Sequence, residues 1–281
     1  MKTVSFENLK DKTCVITGGG GVIGQALAKG IASVGIKIAI LDIAEDAANK
    51  AAESIRNEFG VEAIGVKADV LSIESMKEAY AKVISELGQV DFLINGAGGN
   101  SPKATTSLEF IDEGSDLAET FFGLDIAGFD WVFNLNFKGT IIPTMVIAED
   151  MVKKKQGTIL NISSMNAFRP LTKIPAYSAA KASINNFTEW LSVHLAKSNV
   201  RVNAIAPGFF VTNQNRFLLY DEQTNELTPR GKKILDGTPM GKFGEVEDLV
   251  GTTLYLLSDL SRFVTGVVIP VDGGFNAYSG V

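Results

Sequence analysis

Short apolar runs alternate with longer amphipathic segments along the chain, and this alternation limits the folds open to it. Runs rich in Val, Ile and Leu occur at Thr13–Thr17, Ile36–Leu41, Val61–Lys67, Val90–Asn95, Thr158–Ser163, Val200–Ala204 and Val267–Val271. Near-continuous apolar runs are typical of strands covered on both faces. Helical spacing follows Gly24 and recurs at Ala47–Phe59, Ile73–Leu87, Phe137–Lys154, Tyr177–Lys197 and Val246–Ser258. This order predicts an α/β Rossmann fold, a doubly wound seven-stranded parallel sheet with helices on both faces.

Two stretches interrupt the alternation, near residues 101–130 and 213–240. Each follows a predicted strand, and ligands of open α/β sheets bind at the carboxyl ends of strands. We interpret the stretches as substrate-site insertions, with passive surface loops as the alternative. No repeat, low-complexity tract or linker divides the sequence, so we expect residues 1–281 to form one dinucleotide-binding and catalytic domain.

Composition excludes several function classes. The net charge of -6 argues against a nucleic-acid partner, which would need a basic surface. The single histidine, His194, excludes a multi-histidine zinc site, so no metal is predicted, and a Ser-His-Asp hydrolase would have to use it. The single cysteine, Cys14, cannot form an intrachain disulfide. No apolar run predicts a membrane span or a signal peptide, and we expect a cytoplasmic protein.

The segment Thr17–Gly24 predicts a dinucleotide site. Gly19, Gly21 and Gly24 fit G-x-G-x-x-G between the first strand and the first helix, where backbone N–H groups face a pyrophosphate. Asp42 ends the second strand and can accept both adenosine ribose hydroxyls, which favours NAD over NADP; the alternative is a helix N-cap. Asp69 follows the third strand and either holds the adenine edge or forms a strand-end turn.

Tyr177 and Lys181 form a Tyr-x-x-x-Lys motif that predicts proton transfer. Residues four apart share one helix face, so both side chains can reach one site. The free phenol has a pKa of about 10, and a nearby ammonium lowers it. Ser164 follows the strand Thr158–Ser163 and can hold a substrate oxygen beside Tyr177; the alternative is a turn-forming serine.

In combination, these motifs resemble the short-chain dehydrogenase/reductase family over essentially the whole chain. Further matching segments are Asn95-Gly96-Ala97-Gly98, Asn136-Phe137-Lys138-Gly139-Thr140, Pro207-Gly208 and Asp272-Gly273-Gly274. The resemblance implies a catalytic tetrad of Asn136, Ser164, Tyr177 and Lys181. It makes Tyr177 the general acid in reduction and the base in oxidation, while Ser164 polarises the carbonyl. Lys181 would hold the nicotinamide ribose, and Asn136 would bind a water of the proton relay.

The resemblance and the motifs together define the expected cofactor site. The predicted contacts are Gly18, Gly20, Gly21, Val22, Ile23, Asp42, Ile43, Asp69, Val70, Asn95, Gly96, Ala97, Tyr177, Lys181, Pro207, Gly208, Phe210 and Thr212. Two positions depart from the family pattern. Val22 replaces a glycine of Thr-Gly-x-x-x-Gly-x-Gly, and Gly96 replaces the second Asn of Asn-Asn-Ala-Gly. Neither change removes a chemical group from the tetrad.

Polar residues concentrate around the expected substrate pocket. Asn100, Ser164, Asn166, Arg169, Asn213 and Arg216 are the predicted substrate contacts, with either arginine suited to a carboxylate. The alternative is that they are solvated loop residues. Segments such as Ser-Ser-Met-Asn-Ala-Phe and Pro-Gly-Phe-Phe-Val-Thr-Asn-Gln-Asn-Arg are similar to proteins assigned as D-mannonate oxidoreductases (fructuronate reductases). That similarity implies NADH-dependent reduction of D-fructuronate to D-mannonate.

Other functions remain open from sequence. A gluconate, ketogluconate or polyol dehydrogenase would use the same tetrad, and an uncharged polyol would make Arg169 and Arg216 dispensable. A non-catalytic NAD-binding regulator would need no proton relay, so the intact tetrad argues against it. Family resemblance implies a homo-oligomer, a tetramer, for which the apolar stretch Phe263–Val281 could serve as an interface.

Overall fold

The predicted strands form one parallel sheet. The computed structural model describes residues 5–212 and 216–280. The strands are β1 Thr13–Thr17, β2 Lys37–Asp42, β3 Ala63–Lys67, β4 Phe92–Asn95, β5 Gly157–Ile162, β6 Val200–Pro207 and β7 Val268–Val271. Their spatial order is β3-β2-β1-β4-β5-β6-β7, and all neighbouring pairs run parallel. The predicted fold class is therefore confirmed.

Helices cover both faces of this sheet. In the described residues they are α1 Val22–Ala32, α2 Glu45–Phe59, α3 Ile73–Leu87, α4 Ile126–Phe133, α5 Gly139–Lys154, α6 Pro175–Leu195, α7 Arg216–Leu219, α8 Pro229–Asp236 and α9 Asp248–Leu257. One apolar cluster packs α1, α2 and α9 against the sheet, and a second packs α3, α5 and α6 against the other face. None of the helices in the described ranges is long and apolar enough to span a bilayer.

β1 shows why the strands carry apolar residues on both faces of the sheet. All five of its residues are buried. Cys14 and Ile16 belong to the cluster on one face of the sheet, while Val15 belongs to the cluster on the other. Since successive side chains of a strand point to opposite faces, a strand between two helical layers needs apolar residues throughout.

The two insertions contain more helix than the sequence indicated. Residues 101–130 end inside α4, whose first turn is capped by the Asp125 side chain accepting from Ala127 N. The second stretch, described from residue 216 onward, contains α7 and α8. α8 begins at Pro229, with the Thr228 hydroxyl accepting from Gly231 N. Both stretches are therefore partly helical, because local capping residues start short helices there.

Candidate active site

Backbone contact shapes the turn between β1 and α1. Gly18 has a φ of +64°, and a Cβ there would lie 2.7 Å from Ala97 Cα. A Cβ on Gly24 would lie 2.5 Å from the Gly18 carbonyl oxygen. Gly21 is less constrained, since its Cβ would meet only that oxygen, at 3.3 Å. The glycines that the turn requires most are therefore Gly18 and Gly24, rather than all members of the literal 19-21-24 pattern.

The helix that follows this turn begins at Val22, with Gly21 at its N-cap. As a glycine, the N-cap residue has no side chain that could accept from the first N–H groups of α1. These backbone N–H groups are therefore available to an anion. Val22 and Ile23 are half-buried in the first turn, and Val22 keeps the backbone N–H of the glycine it replaces. Gln25 Nε2 donates to the Gly20 carbonyl at 2.6 Å and holds the loop from behind.

The Asp42 carboxylate joins the second strand to the glycine turn. Gly20 N donates to its Oδ2 at 3.0 Å, and Ala44 N donates to its Oδ1 at 3.0 Å. The α2 N-cap is Ala44, which has no side-chain cap, so the N-cap alternative for Asp42 was wrong. Ile43, the next residue, is 64% exposed. A negative charge therefore lies at the edge of the turn, with an exposed apolar side chain beside it.

Asp69 and Val70 follow β3. Asp69 Oδ1 accepts from Leu71 N at 2.9 Å, which is the strand-end turn offered as the alternative. This turn occupies one carboxylate oxygen, so the adenine-edge role remains a prediction for the other. Val70 is buried against α5, where a Cβ on Gly139 would lie 3.0 Å from its Cγ2.

The segment after β4 lies against the glycine turn. Gly96 N and Ala97 N both donate to Thr17 Oγ1, at 3.2 and 3.3 Å. The Asn95 side chain is buried and donates to Thr144 Oγ1 and Asn161 Oδ1, both at 2.9 Å. The Asn95 amide nitrogen thus supports the sheet, while its Oδ1 is buried without a hydrogen-bond partner among the described residues.

Ser164, Tyr177 and Lys181 converge at the carboxyl end of β5. Tyr177 and Lys181 lie one turn apart on α6, with Lys181 Nζ 5.5 Å from the centre of the tyrosine ring. Lys181 Nζ donates to the Ile162 carbonyl of β5 at 2.8 Å, which fixes the cation between strand and helix. The Ser164 hydroxyl lies near enough to Tyr177 to influence its titration, and it accepts from Asn166 N at 3.2 Å. The turn-forming role of Ser164 therefore accompanies its contact with Tyr177.

Burial shifts the pKa values of the two titrating groups in opposite directions. It lowers the pKa of Lys181 from 10.5 to about 8, because the ammonium loses solvation. Burial also raises the pKa of the Tyr177 hydroxyl, and the hydrogen bond with Ser164 opposes that rise. Tyr177 therefore stays protonated at neutral pH and can donate its proton. The neighbouring lysine loses its own proton at a lower pH than the tyrosine does.

Asn136 is fully buried in a π-helical turn, Asn134–Lys138, between α4 and α5. Its Nδ2 donates to the carbonyls of Gly99 and Val132, at 2.7 and 2.8 Å, while its Oδ1 accepts from Gly99 N at 3.2 Å. A Cβ on Gly98 would lie 2.6 Å from Asn136 Oδ1 and 3.4 Å from Lys181 Nζ. Asn136 thus lies near Lys181 and holds the backbone of residues 98–99 in place. This structural role is additional to the predicted role in binding a water.

The segment after β6 closes the other side of the site. A Cβ on Gly208 would lie 2.6 Å from Asp272 Cα, so Pro207-Gly208 passes close to the end of β7. Phe210 is buried and forms a parallel bridge with Gly244. The Thr212 carbonyl accepts from Arg216 N at 2.9 Å, just before the second insertion. The predicted cofactor contacts of this segment thus lie at the end of β6, the strand next to β5, and in the chain that follows it.

The predicted substrate residues differ in what surrounds them. Asn166 is buried two positions after Ser164 and is the closest to it in the chain. Asn100 Nδ2 donates to Thr105 Oγ1 at 3.0 Å, and Arg169 Nη1 donates to the Tyr278 carbonyl at 2.8 Å. Arg216 lies over the Tyr220 ring, at 4.7 Å, and donates to Asn225 Oδ1. Each arginine thus already has a partner, and Asn213 lies outside the described residues.

Sequence reasoning missed Thr17 and Gly98 as elements of the site. Thr17 was recognised only as the start of the glycine segment, yet its hydroxyl holds the chain after β4. Gly98 belongs to the Asn95–Gly98 motif, but the sequence does not reveal that a side chain at this position would clash with Asn136. His194 is exposed on α6, and its ring is stacked on that of Trp190 with 4.9 Å between the ring centres. In the described ranges, no group of three or more His, Cys, Asp or Glu side chains could hold a metal.

Comparisons with known proteins agree with this geometry. A family model for short chain dehydrogenases matches residues 12–223. An uncharacterized oxidoreductase of Haemophilus influenzae is 52% identical over 100% of this chain and 99% of its own length. An uncharacterized oxidoreductase of Bacillus subtilis named UxuB is 49% identical over 98% of each chain.

A solved structure is similar over nearly the same extent. It is a protein from Haemophilus influenzae with bound NAD, provisionally identified as a D-mannonate oxidoreductase. It has a TM-score of 0.93 at 52% identity and covers 98% of this chain and 99% of its own. The match of the family model and of full-length relatives leads to one conclusion: this chain is an oxidoreductase of the short-chain dehydrogenase/reductase family.

Proposed function

We propose that this protein uses NAD(H) to interconvert a ketone and a secondary alcohol on a sugar acid, with D-fructuronate reduced to D-mannonate. The observation that carries the proposal is the cluster of Ser164, Tyr177 and Lys181 at the end of β5. Lys181 Nζ lies 5.5 Å from the Tyr177 ring centre, and the Ser164 hydroxyl is near enough to the same tyrosine to influence its pKa. Similarity to a NAD-bound structure provisionally identified as a D-mannonate oxidoreductase supports the substrate class.

The glycine turn fits a dinucleotide. Side chains at Gly18 and Gly24 would strike backbone within 2.7 Å, so the chain keeps the turn bare where a pyrophosphate would approach. Asp42 lies beside that turn and makes no ion pair with a described residue. Its uncompensated charge would accept ribose hydroxyls and repel a 2′-phosphate, so NAD is preferred over NADP in this proposal.

In the reductive direction, bound NADH supplies a hydride to the carbonyl carbon. Ser164 donates a hydrogen bond to the carbonyl oxygen, and Tyr177 transfers its phenolic proton to that oxygen as the C–O bond becomes single. The Lys181 ammonium stabilises the phenolate that remains. Oxidation runs the same steps backward, with the phenolate as base. Asn136 holds the backbone of Gly99 near Lys181, and its water-binding role stays a prediction.

For the substrate, we propose that Asn166 and Asn100 bind hydroxyls and that an arginine binds the carboxylate. Asn166 is buried beside Ser164, so its amide is the nearest of these groups to the reacting oxygen. Arg169 and Arg216 each keep guanidinium donors beyond those bonded to Tyr278 and Asn225. Asn213 belongs to the same proposed set, with no structural argument attached.

We also propose that the protein is a cytoplasmic homo-oligomer, a tetramer. Met145 on α5 and Trp190 and Val193 on α6 are 63%, 57% and 78% exposed, and a groove lies between the two helices. Exposed apolar faces of this kind favour association. Phe263, near the C-terminal strand, is fully exposed as well. Sedimentation velocity is expected to give four times the 30.0 kDa chain mass, and a monomer would contradict the proposal.

The direct test is NADH consumption with D-fructuronate, run beside D-tagaturonate, 5-ketogluconate and fructose, with NADPH as the cofactor control. Rapid NADH consumption with D-fructuronate and slow consumption with NADPH is the expected result. Turnover of another keto sugar would keep the chemistry and replace the substrate. Turnover of an uncharged sugar alone would favour a polyol dehydrogenase and remove the role of the arginines.

A further inference from the structure

The two insertions leave the sheet on opposite sides of the catalytic strand. The first insertion, residues 101–130, follows β4, and the second, described from residue 216 to 240, follows β6. β4 and β6 are the two neighbours of β5, and Ser164 follows β5. A direct contact between the insertions therefore spans the carboxyl end of β5. We call the opening beneath that span the mouth of the site.

Such a contact exists, and Glu109 is at its centre. Lys233 Nζ of α8 lies 2.5 Å from Glu109 Oε1 of the first insertion. The Glu109 side chain is 28% exposed and that of Lys233 is 67% exposed. Glu109 also faces Lys173 and the hydroxyl of Thr172, which belong to the loop before α6. One carboxylate thus connects three segments around the mouth.

Lys173 reinforces the connection between the first insertion and that loop. Its Nζ donates to the Ser107 carbonyl at 2.7 Å, and its own carbonyl accepts from Thr106 N at 2.9 Å. Tyr177 lies one helical turn farther along the chain, in the first turn of α6. A shift of the first insertion would therefore move the loop that leads into α6, the helix that carries Tyr177.

The end of α8 is held independently, next to β7. Met240 N donates to the Gly273 carbonyl at 3.1 Å, and a Cβ on Gly237 would lie 3.0 Å from the Phe275 ring. Its beginning is tied to α7, where Thr228 N donates to the Leu219 carbonyl at 3.0 Å. α8 is therefore anchored at both ends within the second insertion and β7. Among the ion pairs of the described residues, Lys233–Glu109 is the one that connects it to the first insertion.

We propose that Glu109 is a positioning residue that clasps the second insertion, through Lys233, to the first insertion and the loop carrying Lys173, and so sets the substrate mouth above Ser164 and Tyr177. Because the ion pair is partly exposed, its net contribution is small, so the clasp opens and closes readily. This inference rests on the proposed function in one respect, that the mouth admits the carbonyl substrate.

The test compares Glu109→Gln and Lys233→Met with the swapped double variant Glu109→Lys/Lys233→Glu. Glu113→Gln is the matched control, since it removes a nearby exposed carboxylate of the same insertion that has no described ion pair. We expect each single variant to raise KM for the reduced carbonyl substrate about three- to tenfold, with NADH affinity and kcat nearly unchanged. The swapped pair should restore KM only in part, because it re-forms the ion pair with α8 while placing a lysine opposite Lys173.

A second measurement is independent of turnover. Hydrogen exchange of the α8 amides, residues 229–236, should be faster in Glu109→Gln than in the wild type and slow again in the swapped variant. Unchanged exchange would overturn the clasp even if no carbonyl substrate were accepted. Faster exchange with an unchanged KM would overturn the positioning role. A lower KM in Glu109→Gln would also overturn it, because Lys173 and Lys233 would then be binding the substrate once freed of the carboxylate.

Discussion

The region around β1 to β3 and the two insertions are held together by different kinds of contact. In the first region the fit is made by backbone, because side chains at Gly18 or Gly24 would meet neighbouring chain at 2.7 Å or less. In the insertions the contacts are made by side chains, such as Lys233 with Glu109 and Arg216 with Asn225. Most of these side chains are exposed. The cofactor region is thus rigid and intolerant of added volume, while the insertions are held by weak contacts that can be exchanged.

The proposed catalytic cluster of Ser164, Tyr177 and Lys181 lies between these regions, and Tyr177 is where we expect a change to have the largest effect. Tyr177→Phe removes the proton donor and keeps the ring, so turnover should fall about a thousandfold while NADH affinity stays unchanged. Tyr220→Phe, in the second insertion, is the matched control and should retain turnover. NADH oxidation rates and fluorescence titration with NADH measure the two quantities. Substantial residual turnover in Tyr177→Phe would remove that residue from the acid role.

The difference between the two regions predicts that the glycine turn cannot accommodate an added methyl group. Gly24→Ala places a Cβ 2.5 Å from the Gly18 oxygen, so the free energy of unfolding should fall by about 1–3 kcal/mol. NADH affinity should fall about tenfold as the turn shifts. Gly251→Ala on α9 meets nothing within 4 Å and should be neutral or stabilising. Thermal unfolding and NADH titration of both variants test this, and equal behaviour would contradict the close fit.

The pH dependence of reduction tests the burial of Lys181. Its pKa lies at about 8, below the ordinary 10.5, so the ammonium is present at neutral pH and lost as pH rises through 8. Reduction also needs the protonated hydroxyl of Tyr177, whose pKa burial raises, so lysine is the first group to fail. We expect kcat/KM for the ketone to fall about tenfold per pH unit above 8.

The matched variant for this profile is Lys181→Arg, because a guanidinium stays protonated throughout the range. Its profile should lose the decline near pH 8, whatever its absolute rate. A wild-type profile that is flat to pH 10 would show that the charge on Lys181 does not assist the reaction.

The smallest effect is expected in the second insertion. Arg216 shares its guanidinium between Asn225 and the Tyr220 ring, so Arg216→Ala should raise KM for a sugar acid only about three- to tenfold. Arg230→Ala on the exposed side of α8 is the charge-matched control. An uncharged polyol should show no difference between the variants. An unchanged KM for the sugar acid would remove Arg216 as the carboxylate ligand.

The same contrast explains how far the sequence could be interpreted. The strands were predicted within a few residues because each is rich in apolar residues and lies between two helical layers, as β1 does. Tyr177 and Lys181 were predicted from one helix face and Ser164 from one strand end, whereas Asn136 was implied by the family resemblance alone. Gly18 emerged as the constrained glycine only with its φ of +64° and its contact with Ala97.

Less of the structure of the insertions could be predicted from the sequence. α4 is apolar at most of its positions, so it has no one-sided pattern to find, and the π-turn at Asn134–Lys138 breaks the regular helical period. The Glu109–Lys233 pair joins residues 124 positions apart, and nothing in local sequence indicates such a partner. Long-range side-chain contacts of exposed residues are decided by how the chain folds back, which periodicity does not encode.

The most direct test of the central claim is isotope transfer. NADH carrying deuterium at the transferred position is incubated with the protein and D-fructuronate, and the product is analysed by mass spectrometry and compared with D-mannonate. The proposed reaction predicts D-mannonate with one deuterium on the carbon that carried the ketone, and none with Tyr177→Phe. Absence of labelled D-mannonate, or equal labelling by the Tyr177→Phe variant, would contradict it.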